Sequence, residues 1–163
     1  MKILVFSDSH GVTKLMMDIV GNYAENLACV MFLGDYLRDI EKVSSKFQDI
    51  TFHAVPGNCD FYSNLSRELT LEADGKKIWL THGDRFGVKS GYAHIEAAAA
   101  ARGADICLFG HSHKPIVYEK KGTVFLNPGS ITEPRGPKRK SYAVLEIFDG
   151  EVFPKIVEVL TVS

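Results

Sequence analysis

The sequence predicts an α/β fold of two sheets with helices outside. Three observations lead there. Strand-like and helix-like segments alternate through the first half, hairpin signals recur through the second, and five apolar runs each end in metal-capable polar residues.

The first half is read from its periodicities. Ile3 to Phe6 is a short apolar run, and Val12, Leu15, Met16, Ile19, Val20 and Tyr23 then recur at helical spacing. Cys29 to Leu33 repeats the strand pattern, and Leu37, Ile40, Val43 and Phe47 repeat the helical one before a third strand, Thr51 to Val55. This strand–helix–strand alternation calls for parallel strands with right-handed crossovers and functional loops at the strands' carboxyl ends. A third helix is expected from Gly91 to Arg102, where Ala97 to Ala101 favour helix and Gly103 can end it, leading into a strand at Ile106 to Phe109.

Three hairpins follow from turn signals. Arg67 to Glu72 and Lys76 to Thr81 flank Ala73-Asp74-Gly75, Ile116 to Glu119 and Thr123 to Leu126 flank Lys120-Lys121-Gly122, and Tyr142 to Phe148 and Val152 to Val159 flank Asp149-Gly150-Glu151. The C-terminal half is therefore expected to form an antiparallel-rich sheet facing the first. The polar stretch Pro128 to Lys140 is a loop within the domain, and no internal repeat is present.

Composition narrows the function classes. The 163 residues, 45% of them hydrophobic, suit one domain over 1–163. A net charge of -1 without long single-sign runs gives no electrostatic reason to expect a stable nucleic-acid complex or an anionic membrane partner. No apolar run approaches the ~20 residues of a membrane span, and no basic-plus-apolar leader follows Met1. Cys29, Cys59 and Cys107 are odd in number, and two lie in apolar runs, which fits small buried hydrophobes in a reducing cytoplasm.

The chemistry lies at the strand ends. Asp8-Ser9-His10, Gly34-Asp35, Gly57-Asn58, His82-Gly83 and Gly110-His111-Ser112-His113 each follow an apolar run, the fourth of them Lys77 to Thr81. Their seven side chains are expected at the same edge of one sheet. Asp-x-His on an extended strand end directs an oxygen and a nitrogen the same way, although alone it is more often a cap or a solvated loop. Gly-His-x-His behind a buried strand is costly as filler. Asp35 offers a carboxylate that can bridge two cations, and Asn58 a neutral amide oxygen, although a lone Asn after Gly is usually a turn residue. His53, inside a strand, and His94, on a helix, are read as structural or surface residues.

These motifs, from Asp8 to the Asn127-Pro128-Gly129-Ser130 turn, resemble the calcineurin-like metallophosphoesterase superfamily in its small single-domain prokaryotic phosphodiesterase branch. The resemblance implies a four-layer αββα sandwich with two divalent metal ions. One ion would be held by Asp8, His10, Asp35 and His113, and the other by Asp35, Asn58, His82 and His111, with Asp35 as the bridge. Mixed nitrogen and oxygen ligands without thiolate favour Mn, Ni, Fe or Zn over Ca, and among these Mn is taken first, although the ligand set itself does not choose.

The chain departs from the protein phosphatases of that superfamily. They carry Gly-Asn-His-Glu where this chain has Gly57-Asn58-Cys59-Asp60, and an aspartate where it has Arg38, with Asp39 one step later. Both halves of their acid pair are absent. The expected activity is thus cytoplasmic, metal-dependent hydrolysis of a small phosphodiester or nucleotide-like substrate by a hydroxide bridging the metals, with Asn58 and His111 also acting on the phosphate. The alternatives are a phosphomonoesterase or a non-catalytic scaffold of the same fold, like the metallophosphoesterase-like subunit of the retromer coat. Cys59 is a poor replacement acid because nearby cations favour its thiolate. Asp84 could orient a ligand. Arg135 and the cluster Lys138-Arg139-Lys140 could draw an anion, but each is more simply a solvated loop charge. An exposed hairpin surface suits a homodimer.

Overall fold

The structure, a computed structural model, describes residues 1–136 and 139–160. Its first sheet holds β1 (Lys2–Phe6), β2 (Cys29–Phe32), β3 (Thr51–Ala54), β9 (Ser141–Phe148) and β10 (Glu151–Glu158) in the order β10-β9-β1-β2-β3. The second holds β4 (Glu68–Ala73), β5 (Lys76–Thr81), β6 (Ile106–Leu108), β7 (Ile116–Lys120) and β8 (Thr123–Asn127) in the order β4-β5-β6-β8-β7. Three helices complete the fold: α1 (Lys14–Tyr23), α2 (Leu37–Lys46) and α3 (Ala93–Ala101).

The layering follows from which residues alternate strand positions bury. Ile3 and Val5 of β1 point between the sheets, where they join Met31, Ile78, Leu80, Ile106 and Leu108. Leu4 and Phe6 point outward onto Met16, Ile19 and Val20 of α1 and Leu37, Ile40 and Val43 of α2. On the far side, Trp79, Cys107 and Phe125 pack against Ile95 and Ala99 of α3. The order of layers is helix, sheet, sheet, helix, and strands covered on both faces read as continuous apolar runs.

Local signals hold well. Each predicted hairpin turns on two left-handed residues, Asp74-Gly75, Lys121-Gly122 and Asp149-Gly150, the signature of a type I′ turn. The end of α3 is also as expected, since Gly103 adopts φ +62° and the bonds from Gly103 N to Ala100 O and Ala104 N to Ala99 O form a Schellman cap. Beyond that cap, Glu68 accepts bonds from Arg102 Nε (2.8 Å), Arg102 Nη2 (3.0 Å) and Trp79 Nε1 (3.1 Å), tying the helix end to the second sheet.

The assignment of strands to sheets needs two corrections. The last hairpin joins the first sheet, where β9 runs antiparallel to β1. Its residues explain why: Tyr142 and Val144 face the helices while Ala143, Leu145 and Ile147 face the other sheet, so β9 is apolar on both sides and belongs in a sheet interior. The second sheet is correspondingly mixed, with β5, β6 and β8 parallel at its centre and antiparallel β4 and β7 at its edges. The polar strand ends therefore come from both sheets, three from β1, β2 and β3 and two from β5 and β6, and not from one edge of one sheet.

Candidate metal centre

Five loops converge where the parallel strands of both sheets end. They are held together at the main chain: Asp8 N bonds Gly34 O (3.0 Å), Gly110 N bonds His82 O (2.8 Å), and Asp8 O accepts Ser130 Oγ (2.7 Å) and Thr132 Oγ1 (3.2 Å). Approach is so close that a Cβ at Gly57 would strike the Asp35 carboxylate and main-chain nitrogen, and one at Gly110 would strike Ser7 Oγ and the Asp8 carboxylate. Only glycine fits at either place.

The loops are not extended. Asp8, His10, Asp35, His111 and His113 all have left-handed backbone, with φ between +44° and +67°. The extended geometry expected for Asp8-Ser9-His10 is thus incorrect, because the strand stops at Phe6 and the turn itself aims both side chains inward. At about 1 kcal/mol or more per residue, five such conformations cost roughly 5 kcal/mol, a large share of the ~5–15 kcal/mol that stabilises a domain.

Asp8, His10, Asp35 and His113 offer ligand atoms that all lie within 4.8 Å of one another. Asp8 is fully buried; its Oδ2 accepts from Ser7 Oγ and from His111 N (3.1 Å), but its Oδ1 has no hydrogen-bond partner. His113 Nε2 stands 3.2 Å from that oxygen without aligning to it, and 3.4 Å from His10 Nε2. Because His113 Nδ1 lies 2.6 Å from Glu133 O, it carries a proton there, so in the neutral ring, the form that can bind a cation, the Nε2 lone pair faces the carboxylate. Burial opposes charge on both groups, yet their proximity, with help from His82 and Ser7, leaves the Asp8 carboxyl below its ordinary range and His113 above its own.

A second group lies across Asp35. His82 Nδ1 is 2.6 Å from Leu33 O and so donates there, and its Nε2 faces Asn58 Oδ1 (3.1 Å), His111 Nδ1 (3.2 Å) and Asp35 Oδ1 (3.6 Å). Burial, then the neighbouring charges of His82 and Lys89, hold His111 below the usual imidazole range. All seven expected residues are thus brought together, with Asp35 between the two groups. An orphaned buried carboxylate oxygen and imidazole lone pairs turned toward other acceptors fit a cation, which would satisfy them all at once.

Several positioning residues had no signal strong enough to be singled out. Asp60, 1% exposed, accepts bonds from Asp35 N (2.9 Å), Tyr36 N (3.0 Å), Leu37 N (2.9 Å) and Gly57 N (2.9 Å). It caps α2 from another loop and sets the Asp35 turn. Asp39 accepts Ser9 Oγ and Gly11 N, both at 2.7 Å, and so fixes the loop bearing His10. Asn127, wholly buried, bonds Gly110 O and Ser112 Oγ at 3.0 Å and steadies the loop of His111 and His113. The visible signature of Asp39 and Asp60 is an Asp just beyond a candidate ligand motif, whereas Asn127 is marked only as the end of β8 opening the Asn127-Pro128-Gly129-Ser130 turn.

The remaining candidates separate. Arg38 is exposed with its guanidinium 5.1 Å from the Tyr62 ring centre. Cys59 is exposed but its thiol is pushed up to about 11 by burial and by Asp35, Asp60 and Asp8. Asp84 opens a short 3-10 turn and reaches His111 through its charge. Arg135 supports the site by its main chain, donating to His113 O at 3.2 Å. Lys138 lies outside the described residues, and Arg139 is exposed, 4.0 Å from Glu158. His94 is exposed on α3, and half-buried His53 is lowered by burial alone.

A helix–sheet–sheet–helix sandwich with histidines and carboxylates at the aligned strand ends is the architecture of a metallophosphoesterase. The chain belongs to the calcineurin-like phosphoesterase superfamily, whose domain matches residues 1–150. It is 33% identical to the probable metallophosphoesterase YsnB of Bacillus subtilis over 90% of this chain and 85% of that one. It is 28% identical to the phosphodiesterase YfcE of Escherichia coli over 90% and 88%. A predicted phosphoesterase of Streptococcus pneumoniae superposes with a TM-score of 0.84 at 32% identity, covering 96% of this chain and 88% of that one. Zinc-complexed Vps29 of Entamoeba histolytica, 23% identical, shares the fold with a TM-score of 0.78 over 97% and 99%. Among the described residues no helix is long and apolar enough to cross a membrane.

Proposed function

We propose that this chain, acting as one domain over 1–163, is a dinuclear metal-dependent hydrolase of a small phosphodiester or nucleotide-like substrate. Asp8, His10, Asp35 and His113 hold one ion, Asp35, Asn58, His82 and His111 hold the other, and Mn is the favoured metal. The observation that carries the reading is the orphaned Asp8 Oδ1 facing the Nε2 lone pair of His113 in a fully buried position. When bound there, the ions would supply an activated water as nucleophile and charge neutralisation for the phosphoryl oxygens. The chain's own part is placement. Asn58 and His111 sit together beside His82, where an amide and an imidazole can hold a phosphoryl oxygen.

Diester chemistry is favoured by the residues beside Asn58. Cys59 carries a thiol in place of an imidazolium donor, and Arg38 is committed to the Tyr62 ring, so neither rebuilds the phosphatase acid pair. The name of the phosphodiesterase YfcE agrees with this choice. A scaffold role, suggested by the Vps29 fold, is disfavoured by a ligand set with no member missing. Unpaired Cys29, Cys59 and Cys107 support a reducing cytoplasm, and β10, the exposed strand at the edge of the first sheet, supports a homodimer.

The test is direct. Protein stripped by chelator and resupplied with Mn or Ni is assayed on bis-p-nitrophenyl phosphate beside p-nitrophenyl phosphate. Metal-dependent turnover favouring the diester is expected. No metal-dependent turnover of either ester overturns the enzyme reading, and preference for the monoester overturns the diester one.

A further inference from the structure

A cleft of about 630 Å³ opens beside Asn58, lined further by Tyr36, Arg38, Cys59, Phe61 and Tyr62. Three aromatic rings in a wall this short are unusual on a free surface. Phe61 is 85% exposed, and Tyr36 and Tyr62 are 42% and 47% exposed, uncovered by the described residues. Isolated exposed apolar residues need no explanation, but a contiguous set bordering a charged site marks a binding surface.

The rings are also fixed in place. Tyr62 is held on one side by its hydroxyl, 3.4 Å from Asp60 Oδ1, and on the other by Arg38, 5.1 Å from the ring centre. Phe61 meets it edge-on at 6.0 Å and 80°. Tyr36 keeps a left-handed backbone at φ +75°, costly for a bulky residue, and tilts against His10 at 4.9 Å. The same Asp60 carboxylate binds Tyr36 N and Tyr62 OH, so the wall and the Asp35 turn share one anchor. Pre-set flat faces lose little entropy on binding and offer stacking.

We infer that this cleft seats a flat aromatic ring of nucleobase size carried by one ester arm of the substrate. The inference rests on the phosphodiesterase reading for its orientation, because Asn58 is common to the cleft and to the metal centre. A ring in the cleft places its attached phosphate over Asn58 and His111. The size suits one such ring with its sugar, since ligand pockets span about 300–1,000 Å³, and aromatic faces accept any base without reading its identity.

Binding is measured first, without catalysis. Calorimetry on chelator-stripped protein compares adenosine 5′-monophosphate with ribose 5-phosphate, so that phosphate affinity cancels in the ratio. The nucleotide is expected to bind about tenfold more tightly. Phe61→Ala should collapse that ratio toward one, and Phe61→Trp should preserve it. Phe61 touches little besides Tyr62, so the fold survives either change. Equal affinities in the unsubstituted protein, or an unchanged ratio in Phe61→Ala, overturn the assignment. Turnover separates the two readings: the kcat/KM ratio of thymidine 5′-(p-nitrophenyl phosphate) to methyl p-nitrophenyl phosphate should also fall about tenfold in Phe61→Ala. Ring-dependent binding without metal-dependent turnover leaves the cleft standing and sinks the phosphodiesterase reading. Turnover without ring-dependent binding does the reverse.

Discussion

Asp60→Asn is nearly isosteric, yet it should be among the most damaging single changes away from the ligands themselves. Each Asp60 oxygen accepts two main-chain N–H groups, Tyr36 and Leu37 on Oδ1, Asp35 and Gly57 on Oδ2. The amide keeps one oxygen and presents an NH₂ group in place of the other, so two of the four donors lose their acceptor and meet another donor. At ~1–3 kcal/mol for each buried donor left unsatisfied, the loss is about 4 kcal/mol. Urea unfolding followed through Trp79, the single tryptophan, should show it as a midpoint lowered by about 2 M at an unchanged slope of about 2 kcal/mol per molar. Because the same bonds set the Asp35 turn, Mn affinity should fall roughly 10–100-fold. A midpoint within about 0.5 M of the unsubstituted protein would refute the argument that Asp60 is a shared anchor.

The other expectations can be checked with the same preparations. Asn58→Ala and His111→Ala should each abolish diester turnover while the circular dichroism spectrum is retained; loss of the folded signal would point to a mainly structural site. Saturating Mn, at about 100 times its dissociation constant, should stabilise the fold by about 2.7 kcal/mol and raise the melting temperature by roughly 5–10 °C, an effect that chelator reverses. Gly57→Ala should lower Mn affinity at least tenfold in a direct titration, since the new Cβ displaces the Asp35 carboxylate. Glu68→Gln, remote from the site, should lower stability by about 1 kcal/mol in urea through its weakened pair with Arg102 and leave turnover unchanged.

The sequence made the elements and the grouping of candidate ligands legible for one physical reason: both are local. Alternating burial along β1, the helical spacing of α1 and α2, and the paired turn residues of each hairpin are fixed within a few residues, as is a polar side chain placed just past a strand. Which sheet a strand joins is decided by pairing over long separations. β9 meets β1 across about 140 residues, and no local pattern names its partner. Asp60, Asp39 and Asn127 were missed for the same cause, since a buried acceptor is recognised by the distant N–H groups around it, and an isolated Asp or Asn reads as a turn. The left-handed turns beneath Asp8, His10, Asp35, His111 and His113 were equally invisible, because even Asp and His, which adopt that backbone more often than other side chains, do so at a small minority of positions, and only the surrounding structure decides which.

The position of β1, in the middle of its sheet between β2 and β9, sets a schedule for biosynthesis. A nascent chain exposes the first carboxylate and imidazole almost at once, but their sheet lacks a neighbour until residues 141–148 have emerged, and His111 and His113 are themselves made late. At about 5–20 residues per second, the ribosome holds an incomplete cage for several seconds. An ion needing all of these side chains would therefore be captured only when the chain is nearly finished, entering a folded polypeptide and not templating a half-made one.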